Sequence, residues 1–367
     1  MRLAYLDNLR IGATGVIIVY HAARLFDYPP FYVKSETVFG AFEAATRLMD
    51  IWMMPLFFFI AGASATFALK SRSNGAFLAE RGIRLLLPLA FAFLTYLPVI
   101  GYFARRQALG GAPLDFFDFY TNYFRLDMAD PAGFDGALTP AHLWFILYLF
   151  IFAAVSLPLF RIWSKSGPPK FLARAFRTTP ALILLLAAPP VLGRLTGITY
   201  PNPVFFIWFF WYGFLFFSSE EMKAALRRGA IWAAPAAAVL TPIIIYGRLL
   251  RGPDYAAIGD VFGPGWPVFQ SLVAINAWCW VLVLLELGRR FWNGTNGVTA
   301  YLSRAAYPAY LLHISVIAAV GYYTLQADLP VWMSFPIIAA AALTGVLAIY
   351  EVAIRRLAPM RLLFGVK

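Results

Sequence analysis

Long apolar runs separated by short polar loops make up almost the whole chain. A helix needs about 17–25 predominantly apolar residues to cross the hydrocarbon core of a bilayer. We predict ten membrane-spanning helices, over residues 9–26, 49–69, 84–103, 142–162, 180–196, 203–218, 230–249, 266–288, 305–325 and 331–354. The pattern therefore predicts an all-α, polytopic membrane protein, with residues 1–367 forming a single integral-membrane domain.

Two stretches of the pattern allow more than one interpretation. The fifth and sixth runs are short and are separated by GRLTGITYPNP, so they fit either two spans or a broken, re-entrant element inside the protein. The longest polar segment, residues 104–141, carries aromatic and acidic residues in DFFDFYTNYFRLDMADPAGFDG. It fits either an amphipathic piece at the outer interface or a loop anchored by its aromatic side chains.

Composition supports a bilayer as the environment of this chain. Hydrophobic residues make up 61% of it and charged residues 13%, with a mean hydropathy of +0.71, whereas soluble domains have about 25% charged residues. The net charge of +12 does not form a basic stripe, because the Lys and Arg residues are divided among short loops. We therefore expect the lipid bilayer, and no nucleic acid, as a partner; a homo-oligomer is one of the arrangements the sequence allows.

The distribution of basic residues predicts the orientation. With ten spans, twenty of the thirty Lys and Arg residues fall on the side of the N-terminus and nine on the other side, while Arg10 lies within the first helix. Cytoplasmic loops of membrane proteins are enriched in Lys and Arg. Both termini are therefore predicted to be cytoplasmic.

The first predicted helix contains ionisable residues that a bilayer disfavours. Arg10 and His21 are eleven residues apart, which places them within about 20° of the same helix face and about 16 Å apart along the axis. Asp7, three residues before Arg10, is positioned to pair with it. Ionisable residues inside a membrane indicate a functional site. The alternatives are a histidine bonded to a neighbouring carbonyl and an arginine that extends to the headgroups.

The other two histidines also lie outside ordinary polar loops. His142 opens the fourth run in TPAHLWFILYL, close to Trp144 and at the outer surface in this topology. His313 is near the middle of the ninth run, three residues after Tyr310. Each is a candidate for a functional site, or alternatively a polar residue whose hydrogen bonds are satisfied by the interface or by the helix bundle.

A group of cations precedes the third run. Arg81 and Arg84 share one helix face in AERGIRLLLPL, and Lys70 and Arg72 lie in the loop before them. The group is typical of a cytoplasmic loop, and it equally fits a site for a phosphorylated cytosolic ligand, because arginine presents forked donors. The sequence has no P-loop, GxGxxG, HExxH or zinc-type Cys/His pattern, so we expect no metal.

Taken in order, several short motifs resemble the integral-membrane acyltransferase 3 family. They are YLDNLR, VIIVYH, WMMPLFFFIAG, RGIRLLLPL, HLWFILYL and YLLH. Within that family the chain is most similar to the glucan biosynthesis protein C, or succinyltransferase, branch. The resemblance implies ten helices in the inner membrane of a bacterium. It further implies transfer of an acyl group from cytosolic acyl-CoA to a hydroxyl of an extracytoplasmic carbohydrate such as a periplasmic glucan.

The resemblance also implies roles for individual residues. The family's arginine-to-histidine motif maps onto Arg10 and His21, and its paired arginines map onto Arg81 and Arg84. We expect the phosphates of acetyl- or succinyl-CoA at the four cations before the third run, with the thioester arm passing Arg10. His21 is then the general base that takes the proton of the acceptor hydroxyl. Asp7 is expected to hold Arg10.

The acceptor side is predicted less directly. His142, Trp144 and Tyr310 are expected to bind the carbohydrate, and His313 or Tyr310 to stabilise the oxyanion. A covalent acyl-histidine at His21 is a second route for the same transfer. A polytopic transporter, or a lipid or glycan flippase, is the alternative to an enzyme, because proline-broken helices and buried cations also suit that class.

Overall fold

The computed structural model describes residues 3–198, 200–250 and 265–366. Within these ranges the chain forms helices joined by turns and loops, without any strand, which confirms the predicted all-α class. Arg2, Arg251 and Lys367, which enter the charge count used for the orientation, lie outside the described residues. The assignment of the whole chain to a single domain stays a prediction.

The helices follow one another with mostly short connections. In chain order they are α1 (Ala4–Ala23), α2 (Gly40–Leu69), α3 (Asn74–Arg81), α4 (Leu87–Leu94), α5 (Leu97–Ala108), α6 (Phe116–Tyr123), α7 (Trp144–Val155), α8 (Leu157–Ser166), α9 (Lys170–Thr178), α10 (Ala188–Arg194), α11 (Pro203–Phe217), α12 (Glu220–Leu249), α13 (Trp266–Phe291), α14 (Gly297–Gln326), α15 (Val331–Ile349) and α16 (Ala358–Leu363). Further short segments are 3-10 helices at Ala141–Leu143 and Pro180–Ala187, and π-helical turns at Gly82–Leu86 and Tyr350–Ile354.

Six helical stretches of the described chain are long and apolar enough to cross a membrane. They are Gly40–Leu69, Asn74–Ala108, Glu220–Leu249, Trp266–Phe291, Gly297–Gln326 and Val331–Ile354. The pair Ala141–Val155 and Leu157–Ser166 is bent by 54° and makes a seventh if it counts as one span. Pro180–Arg194 and Pro203–Phe217 are shorter apolar helices. The chain is thus a polytopic membrane protein, while the count of ten and the cytoplasmic termini stay predictions.

Polar caps define where several helices begin. The side chain of Asn202 accepts a hydrogen bond from the backbone N–H of Phe205 at 3.0 Å, and Ser219 caps α12 in the same way. Asn296 and Thr299 form a capping box at the start of α14. Because the first N–H groups of a helix have no partner within it, these side chains fix the starts of α11, α12 and α14.

The start of α2 differs from the prediction. The helix begins at Gly40, nine residues before the predicted apolar run. Glu43 and Arg47, one turn apart, pair at 2.6 Å, and Arg47 also reaches Asp50 at 3.0 Å. Ion pairs at this spacing stabilise a helix through polar sequence, which a search for apolar runs does not detect.

Several predicted runs are not continuous α-helices, and two of them show the effect of proline. In the run at 84–103, α4 ends at Leu94 and α5 begins at Leu97, with Pro98 in its first turn. The run at 180–196 starts as a 3-10 helix and continues as α10. Proline lacks a backbone N–H and does not extend a preceding helix, so it favours breaks at these places.

The core of the bundle is built around α2 and α14. In their most apolar windows 72% of α2 and 78% of α14 are buried, against 28% for the Val331–Ile354 stretch. The buried side chains are mostly aromatic and aliphatic, and they form one continuous cluster through the bundle. Functional side chains on α14 are therefore held inside the protein and not at its lipid-facing surface.

Two glycines allow α2 and α11 to touch through their backbones. Isolated glycines within apolar runs predict close helix packing, and Gly62 and Gly213 have this role. A Cβ on Gly62 would lie 1.9 Å from the carbonyl oxygen of Phe210, and one on Gly213 would lie 1.9 Å from that of Phe59. Neither glycine tolerates a side chain without a shift of the backbone.

Replacing Gly213 with alanine is therefore expected to separate α2 from α11 and to destabilise the fold by about 1–3 kcal/mol or more. The measurement is the midpoint temperature of unfolding of the purified protein in detergent. Gly15→Ala is the matched control, because a Cβ on Gly15 meets no atom within 4 Å and alanine favours the helix. Equal midpoints for the two variants would contradict this account of the contact.

Candidate active site

Three histidines from distant parts of the chain meet in one cluster. His21 is on α1, His142 is in the 3-10 turn before α7, and His313 is on α14. The ring centroids of His21 and His313 are 4.8 Å apart, those of His142 and His313 4.7 Å, and those of His21 and His142 6.4 Å. These are all the histidines of the chain, and we call them the histidine cluster.

The hydrogen bonds of the cluster assign the tautomers of two rings. His313 Nδ1 lies 2.7 Å from the carbonyl oxygen of Tyr310, which only accepts, so Nδ1 carries the proton. His21 Nδ1 lies 2.9 Å from the carbonyl oxygen of Ile17 and is protonated for the same reason. The same N–H of His21 is 2.9 Å from His313 Nε2, which is left as an acceptor in the neutral ring. His21 therefore donates to both Ile17 and His313.

This assignment leaves one lone pair of His21 available. With Nδ1 protonated, Nε2 of the neutral His21 ring is an acceptor, and no described residue donates to it. The His21 ring is half-buried, whereas the His313 side chain is 0% exposed. The half-buried His21 ring thus has one nitrogen without a donor among the described residues, and its other nitrogen contacts His313.

His142 is buried among the helices, while its place on the outer side of the membrane stays a prediction. It is 7% exposed, because the 3-10 turn Ala141–Leu143 directs it towards α14. Its Nε2 lies 3.1 Å from the carbonyl oxygens of both Tyr310 and Leu311 and therefore carries the proton. Its Nδ1 is buried and has no hydrogen-bond partner in the described part of the chain.

Tyr310 and Trp144 both contact other groups of the protein, Tyr310 through a hydrogen bond and Trp144 through its ring. The Tyr310 hydroxyl donates to the carbonyl oxygen of His142 at 2.6 Å, so it is not directed at a substrate carbonyl. Both nitrogens of His313 are likewise engaged, and it is a partner of His21 and not a free oxyanion donor. Trp144 packs on Phe206 and Tyr200, with ring centroids 5.3 and 5.5 Å apart.

The predicted pair of Arg10 and Asp7 is present. Arg10 Nη2 lies 3.0 Å from Asp7 Oδ1 and donates to Ser303 Oγ on α14 at 2.9 Å. Arg10 and His21 are on the same continuous helix, about 16 Å apart along its axis. Arg10 is therefore held towards α14, below the histidine cluster, by contacts that include Asp7 and Ser303.

Arg81 directly precedes a π-helical turn, and Arg84 lies within it. The turn covers Gly82–Leu86, and such turns are frequent at functional sites. The carbonyl oxygen of Arg84 accepts a hydrogen bond from the Tyr307 hydroxyl at 2.9 Å, which ties the turn to α14. Arg81 lies over the ring of Phe77, at 5.3 Å from its centroid.

An acidic residue that the sequence did not single out lies among the four predicted cations. Glu80 is 3.1 Å from Arg72 and 3.9 Å from Arg84, so it offsets part of the positive charge. Lys70 is exposed. Arg161, on α8, donates to the carbonyl oxygen of Leu69 at 3.0 Å and so holds the loop that carries Lys70 and Arg72.

Helix α14 connects all these positions. From its start to its middle, Ser303 contacts Arg10, Tyr307 contacts the backbone of Arg84, Tyr310 contacts His142, and His313 contacts His21. Ser303 and His313 are about 15 Å apart along the helix. One buried helix thus links the cation end of the predicted path to the histidine cluster.

A cavity that the sequence did not predict lies at the opposite end of α1. It has a volume of about 380 Å³, and we call it the arginine-lined cavity. Its charged lining residues are Arg24, Arg47, Asp50, Arg194 and Arg248. Each of these arginines was counted only as a cation of an outer loop. Its sequence signal is weak, because the arginines come from four separate segments; only Arg24, three residues after His21, is close to a motif.

A buried aspartate supports this end of α1. The Asp27 side chain is 0% exposed and contacts Arg24 at 2.6 Å, Lys34 at 2.7 Å and Thr46 at 3.1 Å. Burial lowers the pKa of Lys34 to about 8, although the nearby Asp27 carboxylate opposes the shift. The loop between α1 and α2 is therefore fixed by a network of charged hydrogen bonds, next to the histidine cluster.

The histidine cluster does not have the geometry of a metal site. Within residues 3–198, 200–250 and 265–366, no group of three His, Cys, Asp or Glu side chains is arranged to hold a metal ion. The nitrogens of His21, His142 and His313 that have partners are directed at backbone carbonyls or at one another. The described contacts of the cluster are therefore hydrogen bonds to the backbone and between rings.

The fold and the histidine cluster define a helical membrane protein with a polar site inside its bundle. The family model described as an acyltransferase domain, Acyl_transf_3, matches residues 3–351, and the chain belongs to this acyltransferase family. The search of curated proteins and the search of solved structures gave no match. The resemblance is confirmed at the level of the family, and the glucan biosynthesis protein C branch stays a prediction.

Proposed function

We propose that this membrane acyltransferase moves an acyl group from cytosolic acetyl- or succinyl-CoA to a hydroxyl of an extracytoplasmic carbohydrate, such as a periplasmic glucan, at the inner membrane of a bacterium. One observation carries the proposal. His21 has an accessible Nε2 lone pair, and its Nδ1–H is held by His313 inside a bundle of the acyltransferase family. This is the arrangement of a general base with an orienting partner.

In the chemical step His21 is the base and His313 is its hydrogen-bond partner. His21 Nε2 takes the proton of the acceptor hydroxyl while the hydroxyl oxygen attacks the thioester carbonyl. The C–S bond then breaks, and the CoA thiolate receives the proton from the His21 imidazolium. During the step the imidazolium Nδ1–H donates to the neutral Nε2 of His313, which stabilises the charge on His21. The products are the ester and free CoA.

The donor is proposed to enter from the end that carries Arg81 and Arg84. These arginines, with Lys70 and Arg72, supply forked and point charges for the phosphates of CoA. Arg10 contacts α14 at Ser303 and the backbone of Arg84 contacts it at Tyr307, so both lie on the same side of the histidine cluster along this helix. These contacts support entry of the donor from that end of α14, with its thioester directed towards His21.

The acceptor is proposed to enter from the other end of α1. His142 offers a buried Nδ1 acceptor that a substrate hydroxyl can satisfy. Trp144 and Tyr310 support this side indirectly, because Trp144 packs behind Phe206 and Tyr200, which line the arginine-lined cavity. Their roles are therefore to shape the acceptor site and not to react with the substrate.

The test is a reaction of the purified protein in lipid nanodiscs with acetyl- or succinyl-CoA and a glucan. We expect release of CoA thiol that requires the acceptor, together with acylated glucan detected by mass spectrometry. A transporter or flippase would instead move labelled glycan or lipid across a liposome membrane in counterflow without any thioester. Counterflow without thiol release would overturn the enzyme proposal.

The CoA site gives a separate prediction. The double variant Arg81→Ala with Arg84→Ala should weaken binding of acetyl-CoA at low salt by about tenfold or more, because each guanidinium makes charge-assisted hydrogen bonds to phosphate. Isothermal titration measures the dissociation constant. Arg174→Ala is the control, since Arg174 is an exposed cation of a different segment. Unchanged affinity in the double variant would return both arginines to a role in orientation alone.

A further inference from the structure

We infer that the acceptor is an anionic carbohydrate, whose phosphate or carboxylate binds in the arginine-lined cavity. The inference rests on the proposed function, because it names the class of acceptor for that reaction. The cavity adjoins the histidine cluster through one side chain. Tyr20 lines the cavity and stands edge-on to His21, with ring centroids 4.7 Å apart. A sugar in the cavity would therefore lie next to the base.

Cations outnumber carboxylates around the cavity. Apart from Arg248, the described cations that line it or join its ion pairs are Arg24, Lys34, Arg47 and Arg194, and the described carboxylates are Asp27, Glu43 and Asp50. The three carboxylates pair with Arg24, Lys34 and Arg47, which leaves Arg194 without one. Charges held away from water are costly unless they are paired, so Arg194 favours a ligand with a negative charge.

Arg194 is the arginine whose contacts point most clearly to a ligand. Its Nη1 donates to the neutral amide of Gln270 at 3.0 Å, and its guanidinium lies over the ring of Phe205 at 4.4 Å. In the described part of the chain it makes no ion pair within 4.0 Å, and its Nε is buried without a hydrogen-bond partner. A carboxylate or phosphate oxygen is the acceptor that matches this donor.

Membrane orientation does not explain these arginines. In the predicted topology the cavity is on the outer side, where Lys and Arg are depleted by the charge bias. Arg24, Arg194 and Arg248 nevertheless converge there from three different helices or their ends. Cations that gather against the bias in one cavity indicate a binding function.

The size and lining of the cavity suit a sugar unit. Its volume of about 380 Å³ falls in the range of about 300–1,000 Å³ that is common for small-molecule sites. The aromatic residues Tyr200, Phe206 and Trp266 line it together with the arginines. Apolar walls with a few charged groups are typical of sites that fix the orientation of a small polar ligand.

Binding of glucose 6-phosphate and of glucose to the protein in nanodiscs, without any acyl donor, tests the inference. We expect the phosphate ester to bind at least about tenfold more tightly than glucose, and Arg194→Gln to remove this difference. Arg194→Lys keeps the charge and loses the forked donors of the guanidinium. Its preference for the phosphate ester over glucose should therefore lie between those of the wild type and of Arg194→Gln. Arg105→Gln is the matched control, because Arg105 is an exposed outer cation that does not line the cavity.

A second arm separates the anion of the acceptor from that of the donor. Transfer is measured with glucose or glucose 6-phosphate as acceptor, and with acetyl- or succinyl-CoA as donor. For glucose 6-phosphate we expect Arg194→Gln to raise KM by about tenfold or more with kcat nearly unchanged. Equal binding of both sugars to the wild type would overturn the inference, as would an Arg194→Gln effect that follows the succinyl carboxylate. Because binding needs no thioester, failure of transfer leaves the binding result valid.

Discussion

Replacing His21 with alanine is expected to lower kcat for acyl transfer by about 10²–10⁴-fold, because a general base contributes a factor of this size. The hydroxyl of a sugar is a weak nucleophile at neutral pH, and in the described structure Nε2 of His21 is the accessible lone pair of the histidine cluster. The measurement is the initial rate of CoA thiol release with a saturating acceptor. Near wild-type turnover would remove His21 from the mechanism.

The His21 variant needs a control for folding and for pure loss of space. The midpoint temperature of unfolding should stay close to that of the wild type, since the ring is half-buried and its partner His313 remains in place. Added imidazole should then restore part of the rate by occupying the space left by the side chain. A variant that keeps its stability, loses its rate and recovers with imidazole has lost a base and not its fold.

The same assay distinguishes direct transfer from a covalent route. If His21 carried the acyl group, labelled acetyl-CoA would leave label on the wild-type protein in the absence of acceptor. The geometry favours direct transfer. His21 Nδ1 is engaged in hydrogen bonds, so Nε2 is the nitrogen left, and it cannot take the hydroxyl proton while it carries an acyl group. We therefore expect no label after rapid quenching.

Sequence patterns predicted the parts of this protein that depend on local order along the chain. The apolar runs gave the all-α membrane class, and the spacing of Asp7 and Arg10 gave an ion pair that is present. The three histidines were each identified as candidates. Local periodicity determines which residues share a helix face, and these predictions require nothing more.

Local periodicity could not predict that the three histidines lie in one cluster. His21 and His313 are 292 positions apart, and their contact depends on how α1 packs against α14. The burial of His142 likewise depends on tertiary structure, because a 3-10 turn directs its ring towards α14. The arginine-lined cavity was missed for the same reason, since its charges are distributed over helices that only tertiary packing brings together.

Replacing His313 with leucine is expected to have the next largest effect, a fall in kcat of about 10–10²-fold with little change in KM for acyl-CoA. His313 accepts the Nδ1–H of His21 at 2.9 Å and is fixed by its own bond to Tyr310 at 2.7 Å. Leucine removes the acceptor, so the ring of His21 loses its orientation and its imidazolium loses a partner. Steady-state kinetics with varied donor separate kcat from KM.

His313→Gln tests whether the lost function is the acceptor itself. The Oε1 atom of glutamine accepts a hydrogen bond from the His21 N–H, so this variant should recover a large part of the rate that leucine loses. If His313 served only to fill space in the bundle, leucine and glutamine would have similar kcat values, or leucine the higher one. That outcome would remove His313 from the mechanism.

The double variant His21→Ala with His313→Leu tests whether the two histidines act as one catalytic unit. Residues that act as one catalytic unit have effects that do not add, because an orienting partner has nothing to orient once the base is absent. We therefore expect the double variant to be no slower than His21→Ala alone, within about a factor of two or three. Additive losses would mean that His313 acts independently of His21, for example on the thioester itself, and the direct contact between the two rings would then have no role in the reaction.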